Sequence, residues 1–207
     1  MNGKKGFWAS MNLPNRLTLL RMLLAPVYLV LMWISTFISP VSFCVLFRWI
    51  ALLVFAAASL TDLFDGQIAR RRGLVTNFGK FMDPIADKIL THTAFILFTW
   101  MRELSVLACI IFVAREFVVA ALREIAAERG IVIAAGMSGK VKTVLQMILI
   151  ILLTIPWGAA FLYPGEPFPA WMQLCQGLEK IVEAGAVAMT LYSMCEYVWK
   201  NRAVLVD

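Results

Sequence analysis

The sequence predicts an all-α integral membrane protein of six transmembrane helices, with a short interfacial helix at the N-terminus. Three observations lead there. Of 207 residues, 61% are hydrophobic and 15% are charged, whereas a soluble domain carries about 25% charged residues. The mean hydropathy is +0.81. The apolar residues also gather in runs of the length a bilayer crossing requires, about 20 residues each. This composition disfavours a water-soluble enzyme, a disordered chain or a coiled coil. The length accommodates about six crossings with short loops and no separate soluble domain.

The elements follow in chain order. Residues 1–16 set Phe7, Trp8, Met11, Leu13 and Pro14 among Lys4, Lys5 and Arg16, the pattern of a helix or hook lying on a membrane surface. Residues 17–207 are expected to form one six-helix membrane domain. The first apolar run, Leu17 to Ile38, contains no small-residue cleavage site, so a removable signal peptide is not expected. Further spans are expected at Phe43 to Thr61, Pro84 to Met101, Leu104 to Ala127, Gly139 to Trp157 and Gly177 to Trp199, the third and fourth interrupted by charges. Pro164 to Pro169 reads as an outer loop. No internal repeat is visible. Cys44, Cys109, Cys175 and Cys195 lie far apart without CxxC spacing, which suits small packing residues better than a disulfide framework or zinc site.

Charge sets the expected orientation. Alternating the loops between two sides gathers most of the 19 basic residues on one of them, leaving Arg48, Arg102 and Lys180 on the other and Arg115 within a span. The positive-inside rule then puts both termini in the cytoplasm of a multi-pass protein. Trp33, Trp49, Trp100, Trp157 and Trp171 would mark the outer interface, with Trp8 and Trp199 at the inner one. The net charge of +6 is explained by basic loops facing anionic lipid, so nucleic acid is not expected as a partner.

The stretch from Ser59 to His92 places Asp62, Asp65, Asp83 and Asp87 near the cytoplasmic ends of two spans, where an uncompensated carboxylate is expensive. Asp62 and Asp65 are three apart and Asp83 and Asp87 four apart, so each pair shares one helix face. Four converging carboxylates with no cysteine nearby point to a hard divalent cation, Mg²⁺ or Mn²⁺, of the kind that bridges phosphates. Gly66, Ala69 and Gly79 keep the same faces small, and Arg70 supplies a guanidinium suited to phosphate. A solvated patch of acids paired with Arg70, Arg71, Arg72, Lys80 and Lys88 would need neither these spacings nor the interleaved small residues.

Asp62-x-x-Asp65-Gly66-x-x-Ala69-Arg70, eight residues, then Gly79-x-x-x-Asp83-x-x-x-Asp87 resembles the full signature of the CDP-alcohol phosphotransferase family. Asn12 to Arg21, Asp83 to Lys88 and Gly139 to Thr143 extend the likeness over nearly the whole chain, toward the bacterial branch that uses glycerol 3-phosphate. The resemblance implies that the glycerol 3-phosphate hydroxyl attacks the lipid-linked phosphate of CDP-diacylglycerol, releasing CMP. It implies two metal ions held by Asp62, Asp65, Asp83 and Asp87, with Asp87 as general base. Asp62, Asp65, Gly66, Ala69, Arg70 and Gly79 would line the CDP pocket. A homodimer in the bacterial cytoplasmic membrane, with the active site on its cytoplasmic face, is implied as well. Other acceptors, as in cardiolipin or phosphatidylinositol phosphate synthesis, remain open within the family.

For the acceptor, Arg115 lies roughly 16 Å along its span at 1.5 Å per residue, and a basic residue that deep is a functional candidate. A buried pair with Glu116 is the competing reading, although neighbouring side chains diverge on a helix. Ser138 and Gly139 resemble a helix cap and start, so Lys140 and Lys142 would serve one cavity if the helix end were irregular there. Arg115, Lys140 and Lys142 together suit a phosphorylated acceptor. Arg123, Glu124 and Arg21 could extend that pocket, and His92 reads as a packing residue. A cation transporter would place acids near the midplane on several helices in paired halves. Here they cluster at one interface.

Overall fold

The computed structural model describes residues 13–38, 41–72, 77–134, 136–157 and 169–204. The interfacial segment expected over residues 1–16 and the loop at Pro164 to Pro169 therefore lie wholly or largely outside the described residues. Those described form six α-helices: α1 (Leu13–Ser35), α2 (Val41–Arg72), α3 (Asn77–Trp100), α4 (Val106–Glu128), α5 (Met137–Thr154) and α6 (Ala170–Lys200), with a 3-10 turn at Arg202–Val204. No strand occurs among them. Packing divides the chain within α3 into two units, one ending at Ala94 and the other beginning at Phe95.

The first unit is built on a helical hairpin. On α1 the buried positions are Thr18, Arg21, Ala25, Tyr28, Met32 and Ser35, and on α2 they are Cys44, Arg48, Ala51, Phe55 and Ala58. Steps of three and four residues keep each set on one stripe, and α1 and α2 pack together. Small alanines alternate with large rings along these stripes, and Tyr28 meets Phe55 at 5.7 Å between ring centroids. Pro26 sits inside α1; its missing N–H is tolerated as prolines in membrane helices commonly are. Arg48 departs from expectation. Counted by charge as an outer-side residue, it is 1% exposed and belongs to the buried stripe of α2.

In the second unit the same spacing recurs. The buried positions of α4 are Ala108, Phe112, Arg115, Val119, Leu122 and Ala126, and those of α6 include Glu183, Ala186, Thr190, Ser193 and Tyr197. α6 packs against both α4 and α5, and Phe95 stacks on Phe112 at 4.8 Å. Ser105 caps α4, its hydroxyl accepting from the Ala108 amide at 3.0 Å. The Ser105 amide in turn donates to Glu183, whose other oxygen accepts from Lys180 at 2.8 Å. At the far end of α4, Gly130 takes φ +72. There the Gly130 and Ile131 amides close on the Ala127 and Ala126 carbonyls at 3.0 and 2.8 Å, a glycine-terminated helix end that a side chain would strain.

Three stretches among the described residues are long and apolar enough to cross a membrane: Arg16–Ser35, Val41–Thr61 and Met137–Thr154. α3, α4 and α6 have 24, 23 and 31 residues, enough for a crossing of about 20, but carry charges. Trp33, Trp100, Trp171 and Trp199 lie near helix ends and are exposed, as an interfacial belt requires. α2 runs past its apolar part: after Thr61 it continues unbroken to Arg72.

Candidate functional site

The two halves of the aspartate signature stand on regular helix. Asp62, Asp65, Gly66, Ala69 and Arg70 occupy the last turns of α2, and Gly79, Asp83 and Asp87 the first turns of α3. At 3.6 residues per turn, Asp62, Asp65, Gly66 and Ala69 fall on one face of α2, and Gly79, Asp83 and Asp87 on one face of α3. Residues 73–76 join the helices, and a link of that length holds the two ends within about 18 Å. The side chains of these eight residues lie outside the described residues. The donor set fits a hard cation by its chemistry, four carboxylates with no thiol or imidazole between them. His92 is half-buried.

The basic candidates belong to the second unit and are described in full. The seam spacing of α4 turns Arg115 inward between Phe112 and Val119, and only 8% of it is exposed. On α5, Lys142 heads a buried stripe continued by Gln146, Leu149 and Leu153, and is 3% exposed. Between them stands Glu116: one of its oxygens, Oε1, accepts from Arg115 Nη1 at 2.8 Å and also from Lys142 Nζ. The other terminal nitrogen of Arg115, Nη2, donates to Ser193 Oγ on α6 at 3.1 Å. Arg115 Nε is buried and has no hydrogen-bond partner among the described residues. Deeper along the same seam, Gln146 donates to Thr190 at 3.2 Å.

Gly139 completes the cluster by what it lacks. A Cβ there would come within 3.2 Å of Arg115 Nη2, so a side chain at this position would make the guanidinium shift by a few tenths of an ångström. Among the described residues the cluster holds two cations and one carboxylate. Burying such a group is unfavourable unless its hydrogen bonds are well made, and three helices contribute to making them.

Lys140 is not brought to this cluster. The helix starts earlier than the sequence indicates, with Gly136 as cap and Met137 as first residue. Lys140 and Lys142 therefore both lie in regular helix, where residues two apart point about 200° from each other, and Lys140 is exposed. The expected divergence of Arg115 and Glu116 also fails, because the long guanidinium arm folds back to reach its neighbour's carboxylate. Arg123 donates to the Tyr197 hydroxyl at 3.2 Å and lies 5.8 Å from its ring centre, so it supports packing. Arg21 is buried on the α1 stripe of the first unit.

Sequence reasoning missed Ser193, passed over the packing role of Gly139, and set Glu116 aside. One signal was available for the first: Glu183, Thr190 and Ser193 recur at seam spacing along an otherwise apolar helix. A pocket of about 300 Å³ opens near the end of α6, between Ile133, Ser138, Tyr197, Lys200 and Asn201. Glu196 accepts there from Lys200 at 2.5 Å.

Helices of this length and apolarity define a helical membrane protein. The CDP-alcohol phosphatidyltransferase family model matches residues 11–192, and the chain belongs to that family. It is 40% identical over 198 residues to the CDP-diacylglycerol--glycerol-3-phosphate 3-phosphatidyltransferase of Bacillus subtilis, covering 92% of this chain and 95% of the relative. The protein of the same name from Escherichia coli K12 is 34% identical over 203 residues, 95% of this chain and 98% of the relative. That of Rickettsia bellii is 39% identical over 144 residues, 70% and 75% of the two chains.

Proposed function

We propose that the protein transfers the phosphatidyl group of CDP-diacylglycerol to glycerol 3-phosphate, giving phosphatidylglycerol phosphate and CMP. The observation that carries this is the identity of 34 to 40% over nearly the full length of relatives bearing that activity as their name, with the whole aspartate signature present. The chain's own residues divide the work. Asp62, Asp65, Gly66, Ala69, Arg70 and Gly79 hold the CDP moiety, the glycines and alanine leaving room for it beside the backbone. Asp87 accepts the proton of the acceptor hydroxyl as its oxygen bonds to the phosphatidyl phosphorus. The phosphorus–oxygen bond to CMP breaks, and CMP leaves with that electron pair.

Two Mg²⁺ or Mn²⁺ ions held by Asp62, Asp65, Asp83 and Asp87 would neutralise the pyrophosphate and leaving group. Arg115 and Lys142 bind the phosphate of the acceptor, for which the buried unpartnered Nε of Arg115 is a ready donor. Lys140, exposed nearby in sequence, draws the anion in from solvent. The working protein is a homodimer with six crossings of a bacterial cytoplasmic membrane, both termini and the site facing the cytoplasm.

The test is CMP release by the detergent-solubilised protein from CDP-diacylglycerol, with glycerol 3-phosphate, phosphatidylglycerol, inositol phosphate and serine offered in turn. Metal-dependent product is expected with glycerol 3-phosphate. Product with another alcohol and none with this one would refute the substrate assignment. Gly139→Ala is expected to raise the apparent KM for glycerol 3-phosphate about three- to tenfold, because displacing the guanidinium by tenths of an ångström weakens charged hydrogen bonds. Thermal stability should barely change. An unaltered KM would mean that Arg115 does not touch the acceptor.

A further inference from the structure

The acid between the two cations has no part in the transfer as described above. Glu116 takes Arg115 from its own helix and Lys142 from α5 onto a single oxygen, while Ser193 and the open space at Gly139 hold the other side of the guanidinium. Without a carboxylate, two buried positive charges on neighbouring helices would repel each other and the Lys142 ammonium would swing away. With it, both cations are held on one carboxylate oxygen, leaving Arg115 Nε, buried and without a partner among the described residues, for a further acceptor atom.

We infer that Glu116 is the positioning residue of the acceptor-phosphate site, setting both the spacing of Arg115 and Lys142 and the charge they present. This rests on the reading of Arg115 and Lys142 as the acceptor-phosphate site. A phosphate monoester is held by the two cations whose spacing Glu116 fixes. Glu116 never touches the reacting atoms. Its effect is on acceptor recognition, not on the donor.

The experiment varies glycerol 3-phosphate and CDP-diacylglycerol separately in initial-rate measurements on the full-length protein. Glu116→Gln, which keeps the shape and removes the charge, is expected to raise the acceptor KM about tenfold or more, as loss of charge-assisted bonds does, with the donor KM unchanged within about twofold. Glu116→Asp, charged but shorter, is expected to recover part of the loss. A wild-type acceptor KM in Glu116→Gln, or equal rises in both KM values, overturns the assignment. If Glu116→Gln does not fold, Glu116→Asp decides, an acceptor KM raised about threefold against an unchanged donor KM supporting it and a wild-type value overturning it. Arg115→Gln, measured alongside, separates the two levels. If it leaves the acceptor KM unchanged, the acceptor-site reading fails. If it raises the KM and the Glu116 variants do not, only the positioning role fails.

Discussion

Asp87→Asn is expected to lower turnover by about 10²- to 10⁴-fold, the range general-base catalysis contributes, with the protein still inserted and folded. The substitution changes one oxygen to an amide nitrogen in the third turn of α3, and an asparagine keeps the size of the side chain while removing its ability to take a proton. The acceptor hydroxyl is a poor nucleophile at neutral pH and gains most from a base poised beside it. The measurement is CMP release at saturating donor and acceptor, repeated across a Mg²⁺ titration. Because Asp87 is proposed as a metal ligand as well as the base, the half-saturating Mg²⁺ concentration should rise together with the loss of turnover. Turnover near wild type would remove Asp87 from the chemistry.

Chelation should abolish activity altogether, and Mg²⁺ or Mn²⁺ should restore it. The donor carries a pyrophosphate and the acceptor a phosphate, so the reacting groups repel one another. The sequence sets four aspartates on two helices consecutive in the chain, and the proposed cations would offset that charge. Exhaustive dialysis against EDTA followed by rate measurement, with and without added metal, checks this. Half or more of the activity surviving in metal-stripped protein would contradict the proposal. An independent readout is a thermal midpoint that rises with Mg²⁺, as binding to the folded state demands, and that stops responding in Asp83→Asn.

Which features could be read from the sequence depended on how local their causes are. The helices were visible because their apolar runs are contiguous, and their ends were found to within a few residues except at the end of α2 and the starts of α3 and α6. There hydropathy fades before the helix does: Ala170 to Gln176 and Thr61 to Arg72 are helical without being uniformly apolar. The aspartate pattern was legible because three- and four-residue spacing is a property of one helix. The cation cluster was only half legible. Arg115 and Lys142 announced themselves as charges in apolar surroundings, but that one Glu116 oxygen would join them, with Ser193 behind, depends on how α4, α5 and α6 pack, which no spacing rule states. Lys140 was grouped with Lys142 because the cap was read at Ser138, two residues past Gly136, where the helix actually begins. Arg48 was counted with the outer-side charges because charge counting has no knowledge of seams.

The unbroken course of α2 has one more consequence. Its 32 residues make a rod of about 48 Å, against a hydrocarbon layer of about 30 Å. With Val41–Thr61 crossing that layer, residues 62–72 extend about 16 Å farther, through the depth where lipid headgroups meet water. On the proposed reading the reaction runs on this overhang. Its two products part by solubility alone, the nucleotide diffusing off into water and the new lipid sliding sideways into the leaflet it came from.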